Sequence, residues 1–220
     1  MTFTEAARQS QVPDRIKVLP FDESRGVHVP WFVVWLDGKP EFRVADAAKR
    51  EKARRNRLCW VCGQPLARFR TFVIGPMCVL NRISGDPPSH RDCAEYSARV
   101  CPFLVNANMR RREGGLPEGV STHGIMIKRN PGVCVTWTVE GRGYTIEGDG
   151  MGGWIYRIAD PHSFDWWCRG RKATREEALA AIEAGCPILE DVEKHHPDAL
   201  REIAELKQHV LESYLPKAIA

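Results

Sequence analysis

The sequence predicts an α+β protein, and three observations support this fold class. Short segments rich in β-branched and aromatic residues alternate with turns that contain glycine or proline. Near the carboxy terminus, one stretch instead begins with a capping-box pattern, and another places apolar residues three or four positions apart, which is the period of an amphipathic helix. In the first half of the chain, a Cys-x-x-Cys pair precedes a His-x-x-Cys pair. We therefore expect a metal-binding module joined to a small antiparallel sheet with C-terminal helices.

The composition is that of a globular protein of the cytosol. The chain has 220 residues, of which 43% are hydrophobic, so it can bury a core. The first residues, Met1 to Gln11, are polar, and no stretch reaches the roughly 20 apolar residues of a membrane span. We expect a cytoplasmic location and no membrane partner. The cytosol keeps thiols reduced, so the eight cysteines favour metal ligation over disulfides.

The first ordered elements are predicted to be a hairpin and a helix. The segment Val27–Leu36 is rich in β-branched and aromatic residues, Asp37-Gly38 is a turn signal, and Glu41–Val44 fits a returning strand. From Asp46 to Arg57 the chain contains mainly helix-forming residues, many of them basic. This pattern predicts a short basic helix that leads directly to Cys59.

The second half is predicted to hold four strands of one small sheet, followed by two helices. Thr174 and Glu177 form a capping-box pattern, and the first helix is expected to end at Gly185. The second helix is predicted to begin near Pro197 and to pack on the sheet. The predicted strands are Gly132–Val139, Tyr144–Glu147, Trp154–Ile158 and Phe164–Trp167, and the apolar face of the last helix comprises Leu200, Ile203, Leu206, Val210 and Tyr214.

These elements divide the chain into four parts. Residues 1–25 are expected to form a flexible N-terminus, and residues 26–105 to contain the hairpin, the basic helix and the zinc-binding module. Residues 106–118 are polar and rich in turn formers, which is typical of a linker. Residues 119–220 are expected to form the small sheet and the C-terminal helices.

The four candidate metal ligands are Cys59, Cys62, His90 and Cys93. Two thiolates separated by two residues and followed by Gly63 are typical of a knuckle that presents both sulfurs to one ion. Ser89 is a candidate cap for a helix that would carry His90 and Cys93 three positions apart on one face. Four such ligands fill the tetrahedral shell of one structural Zn²⁺ and leave no position for a catalytic water.

Between the two ligand pairs, the segments Arg68–Ile74 and Met77–Ile83 around Gly75-Pro76 predict a hairpin. A knuckle, a hairpin and ligands at a helix start resemble the treble clef from Arg57 to about Cys101. That superfamily implies zinc and no single activity, because its members bind nucleic acid, bind proteins or cut DNA. A nuclease of its His-Asn-His branch would need a histidine on the hairpin, and residues 68–83 contain none.

A wider pattern extends beyond the treble-clef segment. It comprises Cys-Trp-Val-Cys-Gly, Gly-Pro-Met-Cys, Pro-Pro-Ser-His-Arg-Asp-Cys-Ala and Cys-Pro-Phe. This pattern resembles uncharacterised bacterial and phage proteins, and the resemblance implies no activity.

Alternative roles for the cysteines remain open at this point. Cys59 and Cys62 also fit a reduced pair or a redox motif, although a redox motif is expected after a buried strand and not after a basic helix. Cys78 or Cys101 is either a substitute ligand or a small buried residue. Cys134, Cys168 and Cys186 have no spaced partners and are expected in the core.

Charge is distributed unevenly, with a basic middle and an acidic end. Residues 44–114 contain 14 Lys or Arg and 6 Asp or Glu, whereas residues from 176 onward contain 10 acidic and 4 basic side chains. A basic stretch of this kind favours contact with phosphate, although many charge runs are only solvated helix faces. The candidate nucleic-acid-binding residues are Lys49, Arg50, Lys52, Arg54, Arg55, Arg57, Arg68 and Arg70.

A further basic cluster, Arg169-Gly-Arg-Lys172, follows Trp166 and Trp167, and these aromatics fit either base stacking or the core.

Two functions from different classes fit these observations. The first is a zinc-stabilised nucleic-acid-binding or regulatory accessory protein, with DNA or RNA as its partner. The second is a protein-interaction adaptor of a bacterial or phage type that does not bind nucleic acid. An enzyme with a site in the C-terminal sheet is a third reading, but the sequence shows no nucleophile with a base, no paired carboxylates and no phosphate-binding loop.

Overall fold

The computed structural model of the protein describes residues 11–106, 131–150 and 152–217 and has an α+β fold. Its N-terminal elements are α1 (Asp14–Lys17), β1 (Phe21–Asp22), β2 (Val27–His28), β3 (Val33–Leu36), β4 (Lys39–Ala45) and α2 (Ala47–Asn56). The predicted hairpin is present as β3 and β4, and the predicted basic helix is α2. The first strand is shorter than predicted, because β2 pairs with β1 and the Trp31 amide donates to Val61 instead.

The middle of the chain forms β5 (Phe69–Ile74), α3 (Pro76–Asn81), β6 (Ile83–Ser84), α4 (Arg91–Val100) and α5 (Pro102–Val105). The prediction of a strand over Met77–Ile83 was wrong, because α3 occupies most of that segment. Pro76 takes the first helical position, where its fixed φ angle and missing N–H are favourable. A short apolar run does not distinguish a strand from a buried helix. The hairpin of the treble-clef resemblance is therefore not confirmed.

The second half of the chain forms two sheets, not the single sheet that was predicted. Its elements are β7 (Val133–Glu140), β8 (Tyr144–Gly148), β9 (Trp154–Ile158), β10 (Ser163–Cys168), β11 (Arg171–Lys172), α6 (Arg175–Glu193) and α7 (Pro197–Ser213). One antiparallel sheet has the order β11-β10-β7-β5, and the other has the order β6-β9-β8. Each sheet therefore takes one edge strand from the segment between the two ligand pairs.

The core lies on both faces of the four-stranded sheet. On one face, Val135 and Trp137 are fully buried in a cluster that includes residues of α3, α6 and α7. On the other face, Cys134 and Trp167 pack against Ala98 of α4. The strand β7 is consequently buried on both sides, and the helix that follows His90 is fixed to the sheet.

The helix α6 is longer than predicted. The capping box of Thr174 and Glu177 is confirmed, but the helix continues through Gly185 and Pro187 to Glu193. Gly185 is buried, and a Cβ atom at this position would lie 2.4 Å from Met77 Cε. Its glycine thus allows close packing against α3 instead of ending the helix.

The last helix agrees with its prediction. Ile203 and Val210 are buried on its inner face, and the Tyr214 ring lies 5.1 Å from that of Trp137 on the sheet.

Among the described residues, none of the helices has both the length and the apolar character needed to cross a membrane.

The predicted N-terminus and the predicted linker fall partly outside the described residues, as do residues 119–130, 151 and 218–220 of the predicted C-terminal part. Residues 1–10 of the predicted flexible N-terminus are not described, but α1 and β1 form within residues 11–25, and Ile16 is only 1% exposed. Of the predicted linker, 106–118, only Asn106 is described.

Arg50 fixes the basic helix to the rest of the protein. Its guanidinium group donates to Gly85 O at 2.7 Å and to Trp154 O at 2.7 Å, and it stacks on the Trp154 ring at 3.8 Å. The residue is 6% exposed. Its role is structural, because the charged group bridges α2, the loop after β6 and the strand β9.

Replacing Arg50 by alanine should destabilise the protein by about 2 to 4 kcal/mol. The substitution removes the donor of the Gly85 and Trp154 carbonyl oxygens and the guanidinium that stacks on the indole. Arg55→Ala is the matched control, because Arg55 is exposed and forms a surface ion pair with Glu51, so its loss should cost about 0.5 kcal/mol or less. Chemical denaturation of both variants measures the difference, and equal stabilities would contradict a structural role for Arg50.

Candidate metal centre

The four predicted ligands lie together in the structure. The sulfur atoms of Cys59, Cys62 and Cys93 and a ring nitrogen of His90 are all within 4.8 Å of one another. Zn–S bonds of about 2.3 Å in a tetrahedron would place two sulfurs about 3.8 Å apart, so the cluster has suitable dimensions for a metal ion. All four residues are buried, with exposures between 0% and 8%.

Hydrogen bonds orient the ligands. The backbone amides of Cys62 and His90 each donate to the Cys59 sulfur at 3.4 Å. His90 Nε2 lies 3.0 Å from Pro65 O, which can only accept, so Nε2 carries the hydrogen. His90 Nδ1 faces the Cys62 sulfur at 3.4 Å and is the nitrogen that can bind a metal. A ligand histidine held by a carbonyl through its other nitrogen is typical of metal sites.

The thiols are electrostatically coupled. Burial alone raises the pKa of the Cys59 thiol, but hydrogen bonds from Cys62, Cys93 and His90 outweigh it and hold the pKa well below its ordinary value. Hydrogen bonds to Cys59 and Cys62 raise the pKa of Cys93. Burial opposes protonation of His90, yet hydrogen bonds to the Cys59 and Cys62 sulfurs raise its pKa to about 10. A bound cation would displace these protons, because metal ligation needs thiolates and a neutral imidazole.

Backbone hydrogen bonds and the elements on either side hold each ligand pair in place. After Arg57, the Leu58 backbone pairs with Pro65, and the Cys59 amide donates to Gln64 O at 2.7 Å, which closes the knuckle. The second pair differs from its prediction, because His90 precedes α4 as its N-cap residue instead of lying inside the helix. Ser89 pairs with Thr71 of β5 and does not cap the helix. The edge of the main sheet therefore positions His90, and α4 positions Cys93.

Cys78 and Cys101 are not part of this cluster. Burial raises the pKa of the Cys78 thiol to about 11, and burial also raises the pKa of Cys101. Both therefore favour the protonated thiol, in contrast to Cys59. Cys134, Cys168 and Cys186 are buried, as expected for core residues.

Sequence reasoning missed the side chains that cover the knuckle. The Phe32 and Trp60 rings stack at 4.7 Å with an interplanar angle of 12°. Trp31 lies on Gly63, where a Cβ atom would be 2.6 Å from the indole Cγ. The Gly63 of the Cys-x-x-Cys-Gly motif was a visible signal that something approaches closely here, but it does not identify the residue that does so.

The predicted nucleic-acid-binding residues divide into buried and exposed groups. Arg50 and Arg70 are 6% and 9% exposed, and Arg70 donates to the Tyr144 hydroxyl, so neither is available to an external phosphate. Lys49 is partly buried and donates to Val33 O. The remaining members are Lys52, Arg54, Arg55, Arg57 and Arg68, of which Arg54 is partly buried and the others are exposed. Trp166 and Trp167 are buried and offer no stacking surface.

Comparisons with known proteins provide no relative for this chain. No family model matches it, no curated protein is significantly similar to it, and no solved structure matches it. The wider resemblance to bacterial and phage proteins therefore has no support from these comparisons.

Replacing Gly63 by alanine should destabilise the protein far more than replacing Gly38. Both glycines have left-handed φ angles, +72° and +74°, so the backbone strain is similar. Only at Gly63 would the added methyl group meet Trp31, whereas nothing lies within 4 Å of a Cβ at Gly38. We expect an additional cost of about 1 to 3 kcal/mol at Gly63, measured by chemical denaturation. A similar loss in the two variants would mean that Trp31 does not rest on the knuckle.

Proposed function

We propose that Cys59, Cys62, His90 and Cys93 bind one Zn²⁺ with a structural role. Three thiolates and an imidazole are a ligand set that zinc prefers, and the cluster has the dimensions of a tetrahedral site. Four protein ligands complete the zinc shell, and their burial keeps water away from the ion. The metal would supply folding energy here and no Lewis-acid chemistry on a substrate.

The purified protein should contain about one zinc per chain. Cys93→Ser should remove the metal and lower the melting temperature, because three ligands no longer hold the ion and the coupled folding energy is lost. Elemental analysis of the native protein and of the variant provides the measurement.

The control is Cys78→Ala, which removes a thiol outside the cluster and should keep the full metal content. Cluster iron instead of zinc, or normal zinc content in Cys93→Ser, would overturn the assignment.

We propose further that this zinc-stabilised protein acts as a nucleic-acid-binding or regulatory accessory protein through the last turns of α2. The observation that supports this function is the position of exposed cations next to the metal loop. Lys52, Arg55 and Arg57 are exposed, and the Leu66 amide donates to Arg57 O at 2.9 Å. The helix end is therefore tied to the segment that follows the knuckle, and Arg50 anchors the same helix to the rest of the protein. Exposed cations on a backbone that is fixed in this way suit phosphate contacts.

The charge of this region is partly offset by acidic residues. Glu51 pairs with both Arg54 and Arg55, and Arg68 pairs with Glu140. The side chains of Arg55 and Arg68 are 69% and 71% exposed. Exposed ion pairs contribute little to stability, so a phosphate can replace the carboxylate at low energetic cost.

Replacing Lys52, Arg55 and Arg57 by glutamine should weaken nucleic-acid binding and lower its salt dependence. Each phosphate contact contributes about 0.7 to the slope of log K against log salt for single strands, so losing three should reduce the slope by about 2. Fluorescence anisotropy with labelled oligonucleotides over a salt series measures both quantities.

The matched control replaces Lys194, Arg201 and Lys207 by glutamine on the C-terminal helices. Both triple variants change the formal net charge from +4 to +1, so overall charge is the same. Equal binding by the two variants would mean that α2 is not the contact surface. If the native protein binds neither DNA nor RNA at low salt, the nucleic-acid proposal is wrong, and the adaptor function takes its place.

A further inference from the structure

An exposed aromatic pair lies at the start of β5, close to the metal module. The Phe69 ring is 38% exposed and lies 4.8 Å from the imidazole of His162, with an interplanar angle of 36°. His162 is exposed as well. These rings are held by the sheet, because Phe69 is in register with Glu140 of β7 and the His162 amide donates to Thr138 O. The pair is thus a fixed aromatic surface that solvent can reach.

A cation flanks this aromatic surface. The guanidinium carbon of Arg68 lies 5.5 Å from the centre of the Phe69 ring, and the side chain of Arg68 is 71% exposed. Glu140 pairs with it across the edge of the sheet. The Gly141 amide also donates to Arg68 O at 2.8 Å, which fixes the backbone of this residue. An aromatic face beside a positively charged, well-placed side chain is the arrangement that unpaired bases and their phosphates require.

The backbone connects this surface to the end of α2. Leu58 pairs with Pro65, and Leu66 donates to Arg57 O, so Arg57 lies beside Leu66. Arg68 follows Leu66 by two residues, which spans at most about 7 Å of extended chain. Arg57, Arg68 and Phe69 therefore belong to one continuous edge.

The metal cluster supports both ends of that edge. His90 Nε2 donates to Pro65 O at 3.0 Å, and Ser89, which precedes His90, pairs with Thr71 of β5. The segment from Pro65 to Thr71 is thus fixed on both sides of Arg68 and Phe69. Because the protein backbone is already ordered here, the protein loses less conformational entropy when a nucleic-acid strand binds.

We propose that Phe69 and His162, flanked by Arg68, form a base-stacking platform for single-stranded nucleic acid, an inference that rests on the proposed nucleic-acid-binding function. An unpaired base can place its π face on the Phe69 ring while the neighbouring phosphate replaces Glu140 at Arg68. The nucleic-acid strand then continues towards Arg57, the C-cap residue of α2. A duplex cannot use the platform, because its bases are already stacked on each other.

The test compares single-stranded and duplex oligonucleotides of about 16 nucleotides, a length that covers a site of this type. Phe69→Leu keeps an apolar residue on the strand but removes the aromatic face. It should weaken binding of the single strand by about fivefold or more, because stacking on an aromatic side chain contributes at least that factor. The slope against salt should not change, since no phosphate contact is lost. Duplex binding should be unaffected.

The chain offers a matched control in Phe21, which is 47% exposed and forms a similar pair with His28 at 5.0 Å. Phe21→Leu should bind single strands as the native protein does. Glu140→Gln removes the competing carboxylate and should strengthen single-strand binding. His162→Ala is a second test at a residue that does not lie on β5, and it should also weaken single-strand binding. Zinc content and circular dichroism confirm that each variant is folded.

The possible outcomes separate the platform from the function on which it rests. Weaker single-strand binding in Phe69→Leu and His162→Ala, with an unchanged salt slope, supports the platform. Native affinity in both variants overturns it, while the contacts of α2 remain supported if the triple glutamine variant is impaired. Equal affinity of the native protein for duplex and single strand also overturns the platform. Failure of the native protein to bind any oligonucleotide removes the proposed function itself.

Discussion

The rest of the structure depends on bringing three thiols and one imidazole together in a buried cluster. These groups cannot all reach their ligand protonation states without a cation, because neighbouring thiolates repel each other in a site that excludes water. The two ligand pairs are separated by 27 residues, and this intervening chain contains β5, α3 and β6. Closing the cluster therefore fixes both ends of this segment, which supplies β5 to the four-stranded sheet and β6 to the three-stranded sheet. A metal at this site would stabilise the fold well beyond its own four ligands.

The shell around the cluster comes from distant parts of the chain. Ile16 of α1 packs with the ligand cysteines and with Tyr96 of α4, and Trp31 covers the knuckle at Gly63. An isolated zinc finger obtains most of its stability from the metal because its core is small. Here the opposite face of α4 is fixed to the main sheet through Ala98. The candidate metal centre is consequently one corner of a larger core, which explains why its neighbours lie both before and after it in sequence.

The sequence was most informative where local chemistry determines the structure. The grouping of Cys59, Cys62, His90 and Cys93, the capping box at Thr174 and the amphipathic last helix follow from spacing and side-chain type, and the structure contains all three. It was less informative where tertiary contacts decide. The apolar segment after Gly75 forms α3, which packs against α6 and α7. Gly185 lies inside α6, where the Met77 side chain leaves no room for a Cβ atom. Neither contact is visible in a local pattern. The pairing of β5 with β7 joins residues more than 60 positions apart, so periodicity could not predict it.

The arginines show why charge alone does not identify a binding surface. Arg50 and Arg55 lie on the same helix, yet one is buried between carbonyl groups and an indole while the other is exposed beside Glu51. The buried residue cannot reach a ligand, but it holds the helix in place, and this orientation determines where the exposed residues lie. Arg70 and Arg68 show the same contrast. Arg70, on β5, bonds to Tyr144 inside the protein, whereas Arg68, which precedes β5, faces solvent. In both elements, the buried arginine bonds inside the protein, and the exposed arginine provides the charge. A phosphate-binding edge built in this way would lose its geometry, and not its net charge, when its structural partners are removed.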